Sequence, residues 1–340
     1  MSKSETSIEI RNLYKIFGPN PRAWVEAVRS GMTKEDLARD HGHILGLNDI
    51  NISMPAGKIQ VIMGLSGSGK STLIRHINRL IEPTAGSIVI DGQNILEMSE
   101  TDLRDFRRRG TAMVFQKFAL LPHRTVIDNV TFGLEVRGID KAKSRDNAMR
   151  WIERVGLKGF ETRYPNELSG GMQQRVGLAR ALNNDTSILL MDEAYSALDP
   201  LIRTDMQTML LDLQKELGKT IVFITHDLDE ALRLGDNVVI LRDGSIVQQG
   251  DSQEILLRPA DDYIERFVKD VNRGRYIKID RIMEPLNGAE TGALPRLAIG
   301  TPLEIAVKEL SDTASPAALV TGAGGQPVGI VSQRKIMAAL

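Results

Sequence analysis

Cysteine is absent from the 340 residues. That excludes a disulfide framework, thiolate metal sites and a cysteine nucleophile, and it is compatible with a reducing compartment. An excess of charge of one sign is missing too. The 43 Lys and Arg stand against 44 Asp and Glu, a formal net charge of -1, so no overall basic field exists to hold nucleic acid or an anionic membrane. No stretch reaches the roughly 18 consecutive apolar residues of a spanning helix. The start, Met1 to Ile10, mixes Ser, Lys and Glu and lacks the apolar core of a secretory signal. Internal repeats, low-complexity tracts and sustained heptads are also lacking. The expectation is a soluble cytoplasmic protein with one large core and a smaller appended unit, any membrane role passing through a partner.

What is present is an alternation. Apolar runs of strand length, Ile59 to Met63, Ser87 to Ile90, Thr111 to Phe115, Ile188 to Met191 and Ile221 to Thr225, are separated by helical stretches, which predicts an α/β domain with buried parallel strands. Ala148, Trp151, Ile152 and Val155 fall along one face of a mostly polar helix from Lys141 to Val155, a packing face. Residues 19–45 interrupt the strand-like start. Trp24, Val25, Ala27 and Val28 suggest one helix there, and Thr33 with Asp36 forms a capping pair opening a second. Arg107, Arg108 and Arg109 read as a solvated helix end. Composition shifts beyond Asp270, with a boundary suggested at Asn272 to Arg275 and a small second domain of one strand-and-helix unit over 277–340.

The strongest local pattern follows the strand ending at Met63. Gly64-Leu65-Ser66-Gly67-Ser68-Gly69-Lys70-Ser71 fits GxxxxGKS in its strand, glycine loop and helix context, with Thr72 opening the helix. Glycines let backbone N–H groups turn around phosphate oxygens, and the helix start adds partial positive charge. A chance match in this length is at roughly one percent. Lys70 is assigned to the β- and γ-phosphates and the Ser71 hydroxyl to Mg²⁺. A second site closes the apolar strand Ile188 to Met191 with Asp192 and Glu193 at the carboxyl edge of the sheet. Asp192 is expected to hold Mg²⁺ through water, and Glu193 to polarise the attacking water as general base.

Three further features follow in order. Gln116 follows one strand, Leu168-Ser169-Gly170-Gly171-Met172-Gln173-Gln174-Arg175 feeds a helix, and His226 follows another strand, with Ser196-Ala197-Leu198-Asp199 just after the carboxylates. Over about residues 8 to 250 the chain resembles the ATP-binding cassette of ABC transporters. The resemblance implies a P-loop NTPase fold with a RecA-like core, an antiparallel β subdomain and a helical subdomain over about 117–185, the whole cassette occupying 1–270. It also implies a head-to-tail pair of cassettes enclosing two ATP molecules with Mg²⁺. In that pair Ser169, Gly170 and Gly171 of one copy face the γ-phosphate held by Lys70 of the other. Gln116 joins the metal and water network, His226 contacts the γ-phosphate and Asp199 helps link the two copies. Phe17 matches the family aromatic that stacks on adenine, with Tyr14 the runner-up. Taken alone, a His at a strand end and a Phe such as Phe17 are ordinarily structural.

Within that family the 19–45 insertion, the loop from Val61 to Ser71, Ala119-Leu120-Leu121-Pro122-His123 and Leu198-Asp199-Pro200-Leu201-Ile202-Arg203 are similar to glycine betaine, proline betaine and choline importers. The likeness implies an ATPase at the cytoplasmic face of the inner membrane, joined to transmembrane permeases and served by an external binding protein. A permease coupling helix is expected to dock at residues 117–137. Residues near 280–340, above all Val328-Gly329-Ile330-Val331-Ser332 and the helix-like Arg334 to Leu340, resemble a single CBS module, a small α+β regulatory or dimerising unit. Where nucleotide-binding modules of that kind place an acid after the hydroxyl residue, Ser332 is followed by Lys335. Two other classes compete: a soluble cassette ATPase of translation or DNA repair, which the single GxxxxGKS disfavours, and a nucleotide-responsive module with little turnover, which Glu193 disfavours.

Overall fold

A computed structural model describes residues 7–116, 118–286 and 294–340. The chain divides into two compact units, residues 1–247 and 248–340. In the first unit, β1 (Ile8–Phe17) pairs antiparallel with β2 (Ile44–Met54) and β4 (Ala85–Ile90), and β5 (Gln93–Asn94) completes a four-stranded sheet. The second sheet is built on parallel pairing, β9 (Asn237–Arg242), β3 (Ile59–Met63), β8 (Thr220–Thr225), β7 (Ile188–Asp192) and β6 (Thr111–Val114) lying side by side, with β10 (Ser245–Gly250) beyond β9. β3, β7 and β8 are buried at every position, which is why they read as unbroken apolar runs and not as alternation. Parallel strands bring their carboxyl ends to one edge, where the site lies.

One apolar cluster joins the two sheets. Ile8, Ile10, Leu13 and Leu47 from the antiparallel sheet meet Ile62, Leu190, Val222 and Ile224 from the parallel one, with Leu73, Ile74 and Ile77 of a helix between them. Three glycines meet at the joint. A Cβ on Gly69 would stand 2.8 Å from the Gly46 carbonyl oxygen, and one on Gly244 would stand 2.9 Å from the same oxygen. Bare backbone alone fits there.

The insertion forms α1 (Val25–Arg29), after a 3₁₀ turn at Pro21–Trp24, and α2 (Lys34–His41). The expected cap is present: the Asp36 amide donates to Thr33 Oγ1 at 3.1 Å and Thr33 Oγ1 donates to Asp36 Oδ2 at 2.7 Å. Val25, Val28 and Leu37 bury against Tyr14, Ile16 and Leu45. At its neck the His43 ring nitrogens lie 2.7 Å from the His41 carbonyl and 2.6 Å from that of Pro19.

Further along come α3 (Lys70–Ile77), α4 (Glu100–Arg109), α5 (Val126–Val136), α6 (Lys141–Arg154), α7 (Gly170–Asn183), α8 (Pro200–Leu217) and α9 (Leu228–Leu234). Helices α5, α6 and α7 share a core of their own, in which Ala148, Ile152 and Val155 are fully buried and Trp151 packs at the margin. The arginine cluster departs from the sequence reading. Arg108 and Arg109 are exposed, but Arg107 is half-buried, its Nε donating to the Asn78 carbonyl at 2.9 Å and its Nη2 to that of Arg79. Carbonyls at the carboxyl end of α3 need donors, and a guanidinium supplies several at once.

The second unit holds α10 (Ser252–Leu257), α11 (Asp262–Val268), α12 (Arg273–Tyr276), β11 (Arg296–Ala298), α13 (Leu303–Asp312), β12 (Ala317–Thr321), β13 (Pro327–Ser332) and α14 (Gln333–Ala339). β11 runs parallel to β12, and β12 antiparallel to β13. The unit therefore has three strands where the sequence suggested one. It also begins upstream of the composition shift at Asp270, because the helices before that point bond into the tail. The Lys278 amide donates to Gln253 Oε1 at 2.9 Å, and Arg281 pairs with Asp251. Among the described residues no helix is long and apolar enough to cross a membrane.

Candidate functional site

The loop after β3 turns on three glycines in the left-handed region, Gly64 at φ 149°, Gly67 at φ 80° and Gly69 at φ 102°. A side chain at Gly64 would meet the Leu241 carbonyl oxygen at 2.2 Å and Ser68 Oγ at 2.7 Å. Ser68 Oγ is itself buried without a hydrogen-bond partner among the described residues. Ser66 and Leu65 stand exposed at the loop's crest. Gly69 caps α3, so Lys70, Ser71 and Thr72 form its first turn. Lys70 is 4% exposed; its Nζ donates to the Gly64 carbonyl at 2.8 Å and the Leu65 carbonyl at 3.0 Å and lies 3.5 Å from Glu193 Oε1. A buried ammonium held by two carbonyls, with its carboxylate partner at the outer edge of ion-pair distance, keeps donors to offer a phosphate.

Side chains from four strand ends converge on that lysine. Ser71 Oγ donates to Asp192 Oδ1 at 2.8 Å. Gln116 Nε2 donates to Glu193 Oε2 at 3.1 Å and reaches Ser196 Oγ at 3.5 Å. His226 Nδ1 lies 3.4 Å from the same Glu193 oxygen. Glu193 has φ 45°, a left-handed conformation rare for a non-glycine residue, while its amide donates to the Ile224 carbonyl at 3.2 Å. That twist turns the residue after β7 away from the strand's course, a strain of the kind found at working sites. Glu193 thus stands between Lys70, Gln116 and His226.

The metal assignment can be tested on the donor set. Ser71, Asp192 and Gln116 offer a hydroxyl, one carboxylate and an amide oxygen, all hard donors. Few protein carboxylates plus substrate phosphates is the manner in which Mg²⁺ is bound. Among the described residues no group of three His, Cys, Asp or Glu gathers that could hold a metal ion without such a substrate. The residues fit Mg²⁺.

Other assigned residues lie elsewhere. Ser169 caps α7, accepting from the Met172 amide at 3.3 Å. A Cβ on Gly171 would stand 2.9 Å from Ile202 Cγ2, and one on Gly170 would stand 3.7 Å from Phe118 Cζ. None of these bonds reaches Lys70 within the chain. Asp199 caps α8 through the Ile202 amide at 3.1 Å. Phe17, at the end of β1, is 38% exposed with Lys15 Nζ 4.9 Å from its ring centre. Tyr14 is buried against the insertion, so of the two aromatics only Phe17 offers a free face.

One neighbour of the cluster was not legible as such. Arg75 Nη2 lies 3.4 Å from Asp192 Oδ2. It stands four residues after Ser71 on α3, so the helical repeat alone puts it on the same face. Lys117 lies outside the described residues. A groove of about 390 Å³ is lined by Met113, Phe115, Leu121, Phe132 and Val136. Arg180 lines it too, its Nη1 and Nη2 donating to the Ala119 and Phe118 carbonyls at 2.7 and 3.1 Å.

A family described as ABC transporter matches residues 47–196. The glycine betaine transport ATP-binding protein OpuAA of Bacillus subtilis is 52% identical over 301 residues, covering 88% of this chain and 72% of that one. The glycine betaine/proline betaine transport ATP-binding protein ProV of Escherichia coli is 46% identical over 333 residues, covering 98% and 82%. Among solved structures, the dimeric post-hydrolysis state of the ATP-binding cassette MJ0796 with ADP and Pi aligns with a TM-score of 0.61 at 31% identity, covering 72% of this chain and 98% of that one.

Proposed function

This chain belongs to the ABC transporter ATP-binding family, and from that premise we propose how its residues work. It is the ATP-hydrolysing subunit of an importer that powers uptake of a quaternary-amine osmoprotectant, such as glycine betaine, proline betaine or choline. The observation that supports the assignment of roles is the convergence of Lys70, Ser71, Gln116, Asp192, Glu193 and His226 at one sheet edge.

Lys70 exchanges its two carbonyl partners for the β- and γ-phosphate oxygens, while the amides of the Gly64–Thr72 turn cradle the rest. Phe17 stacks on the adenine. Ser71 and Gln116 would bind Mg²⁺ directly and Asp192 would hold it through water, and the bound ion would supply positive charge against the phosphates. Glu193 orients the attacking water and takes its proton, and His226 and Gln116 fix that carboxylate. Two copies pair head to tail, so that the Ser169-Gly170-Gly171 turn of one meets the γ-phosphate of the other and Asp199 helps hold the seam. Release of the γ-phosphate removes those contacts and opens the pair. This places the chain at the cytoplasmic face of the inner membrane, bound to permease subunits and indirectly to an external binding protein. The groove around Leu121 and Phe132, within 117–137, takes the permease coupling helix.

The β-α-β-β-α order of residues 296–339 supports the reading of the tail as a CBS-like regulatory or dimerising unit. Lys335 Nζ lies 2.9 Å from Glu284 Oε1, so the acid that would receive a ribose is replaced by a cation already paired. Reconstitution with the permease in liposomes tests the whole: uptake of labelled glycine betaine, proline betaine or choline should require ATP inside and cease with Glu193→Gln. Uptake that persists in that variant refutes the assignment.

A further inference from the structure

Two loops of the site are joined by one guanidinium. Arg203, in the first turn of α8, sends Nη2 back to the Leu198 carbonyl at 3.1 Å and Nη1 across to Asp227 Oδ2 at 3.2 Å. Its Nε is buried with no acceptor among the described residues, so there those two bonds carry its side-chain hydrogen bonding. The Leu198 end belongs to the 196–199 loop, where Ser196 accepts from Gln116 and Asp199 caps α8. The Asp227 end belongs to the turn that carries His226. Asp227 is fixed there, its Oδ1 accepting from the Glu230 amide at 3.1 Å and its own amide donating to Thr225 Oγ1 at 3.0 Å. His226 stands between Thr225 and Asp227, with Nδ1 3.4 Å from Glu193. A displacement of the 196–199 loop therefore reaches His226 through Arg203 and a rigid Asp227.

We propose that Arg203 is a positioning residue that links the 196–199 loop to His226, so that contact of a second copy at Asp199 sets His226 against Glu193. The proposal rests on the head-to-tail reading. A planar fork with fixed donors suits this task, since it binds a carbonyl and a carboxylate at once and transmits movement between them.

The test uses the full chain and two variants. Arg203→Met removes the link. Asp227→Asn keeps the helix cap, because Asn caps as well as Asp, but turns a donor toward the guanidinium. Turnover should fall about tenfold in each, with KM for ATP within about twofold of the native value, the scale of one lost charge-assisted bond felt only in the closed state. The double variant should be no slower than the slower single one, since both cut the same link. Unchanged turnover, losses that multiply in the double variant, or a rise in KM with turnover intact would each overturn the proposal. Thermal unfolding of Asp227→Asn should match the native chain, and a fall in turnover accompanied by an equal loss of folded protein would also sink it. The underlying reading has its own control. Glu193→Gln with Arg203 intact should form a dimer on adding ATP, seen by light scattering; if it stays monomeric, the head-to-tail pair is wrong and this inference falls with it.

Discussion

Adding one methyl group at Gly46 should weaken ATP binding without touching hydrolysis. Gly46 sits in β2 outside the left-handed region, so alanine is compatible with its backbone. Its Cβ, however, would lie 2.6 Å from Phe17 Cε2 and 3.2 Å from Cδ2. Carbon atoms in contact stand about 3.5–4.0 Å apart, so the ring must retreat by about 1 Å. It can do so because Phe17 is 38% exposed. Stacking of a base on an aromatic ring contributes about 1–3 kcal/mol. A ring pushed off its plane forfeits a part of this, about 1 kcal/mol, or about a fivefold weaker Kd. Phe17→Ala should forfeit all of it, between about fivefold and 150-fold. Since the methyl acts only through the ring, the double variant should bind like Phe17→Ala alone. Equilibrium titration with a fluorescent ATP analogue measures all three, and kcat at saturating ATP should be unchanged. If Gly46→Ala binds ATP like the native chain, or if its effect adds fully to that of Phe17→Ala, the adenine does not lie on this ring.

Three other outcomes are expected. Glu193→Gln should lower turnover by about 10²–10⁴ while ATP binding is retained; near-native hydrolysis in a single-turnover assay would remove Glu193 from the role of base. Burial holds the pKa of His76 down at about 4, against 6.5 for the free side chain. The unfolded chain therefore takes up this proton first, so the stability this residue confers is full above pH 6.5 and is lost as pH falls toward 4, by about 3 kcal/mol in all. Urea midpoints measured across that window should fall less steeply in His76→Gln, and an equal slope would contradict the buried neutral imidazole. Arg180 holds the Phe118 and Ala119 carbonyls, two residues with φ of 57° and 47°. A left-handed non-glycine residue costs about 1–2 kcal/mol, comparable with what each guanidinium bond returns. Arg180→Met should let the segment relax, with amide exchange at residues 118–121 faster by about tenfold or more; unchanged protection would refute this.

Much of the site was readable because its residues sit where chain grammar places them. Lys70 and Ser71 follow a glycine loop, Asp192 closes a buried strand, and Gln116, Glu193 and His226 follow strands, so a parallel sheet alone brings them to one edge. Side chains acting at right angles to the sequence were not readable. Arg203 meets Asp227 across two helices, and Arg107 turned from the solvated end it resembled because the carbonyls it answers belong to α3. The first strand of the tail leaves no mark in the sequence for a local reason. β11 has three residues, and Gly and Pro punctuate its neighbours, so periodicity is too brief to register. The division of the chain falls earlier than composition suggests, because α10 to α12 are short helices of ordinary composition whose place in the second unit shows in the bonds of Asp251 and Gln253.

The backbone twist at Glu193 puts hydrolysis and durability in opposition. A left-handed residue there would be more comfortable as glycine or asparagine, which accept φ near 45° at little cost. Selection for heat tolerance alone, with no demand for solute uptake, should therefore discard the acid at this position early. An organism that keeps it accepts a slightly weaker protein in exchange for a working pump.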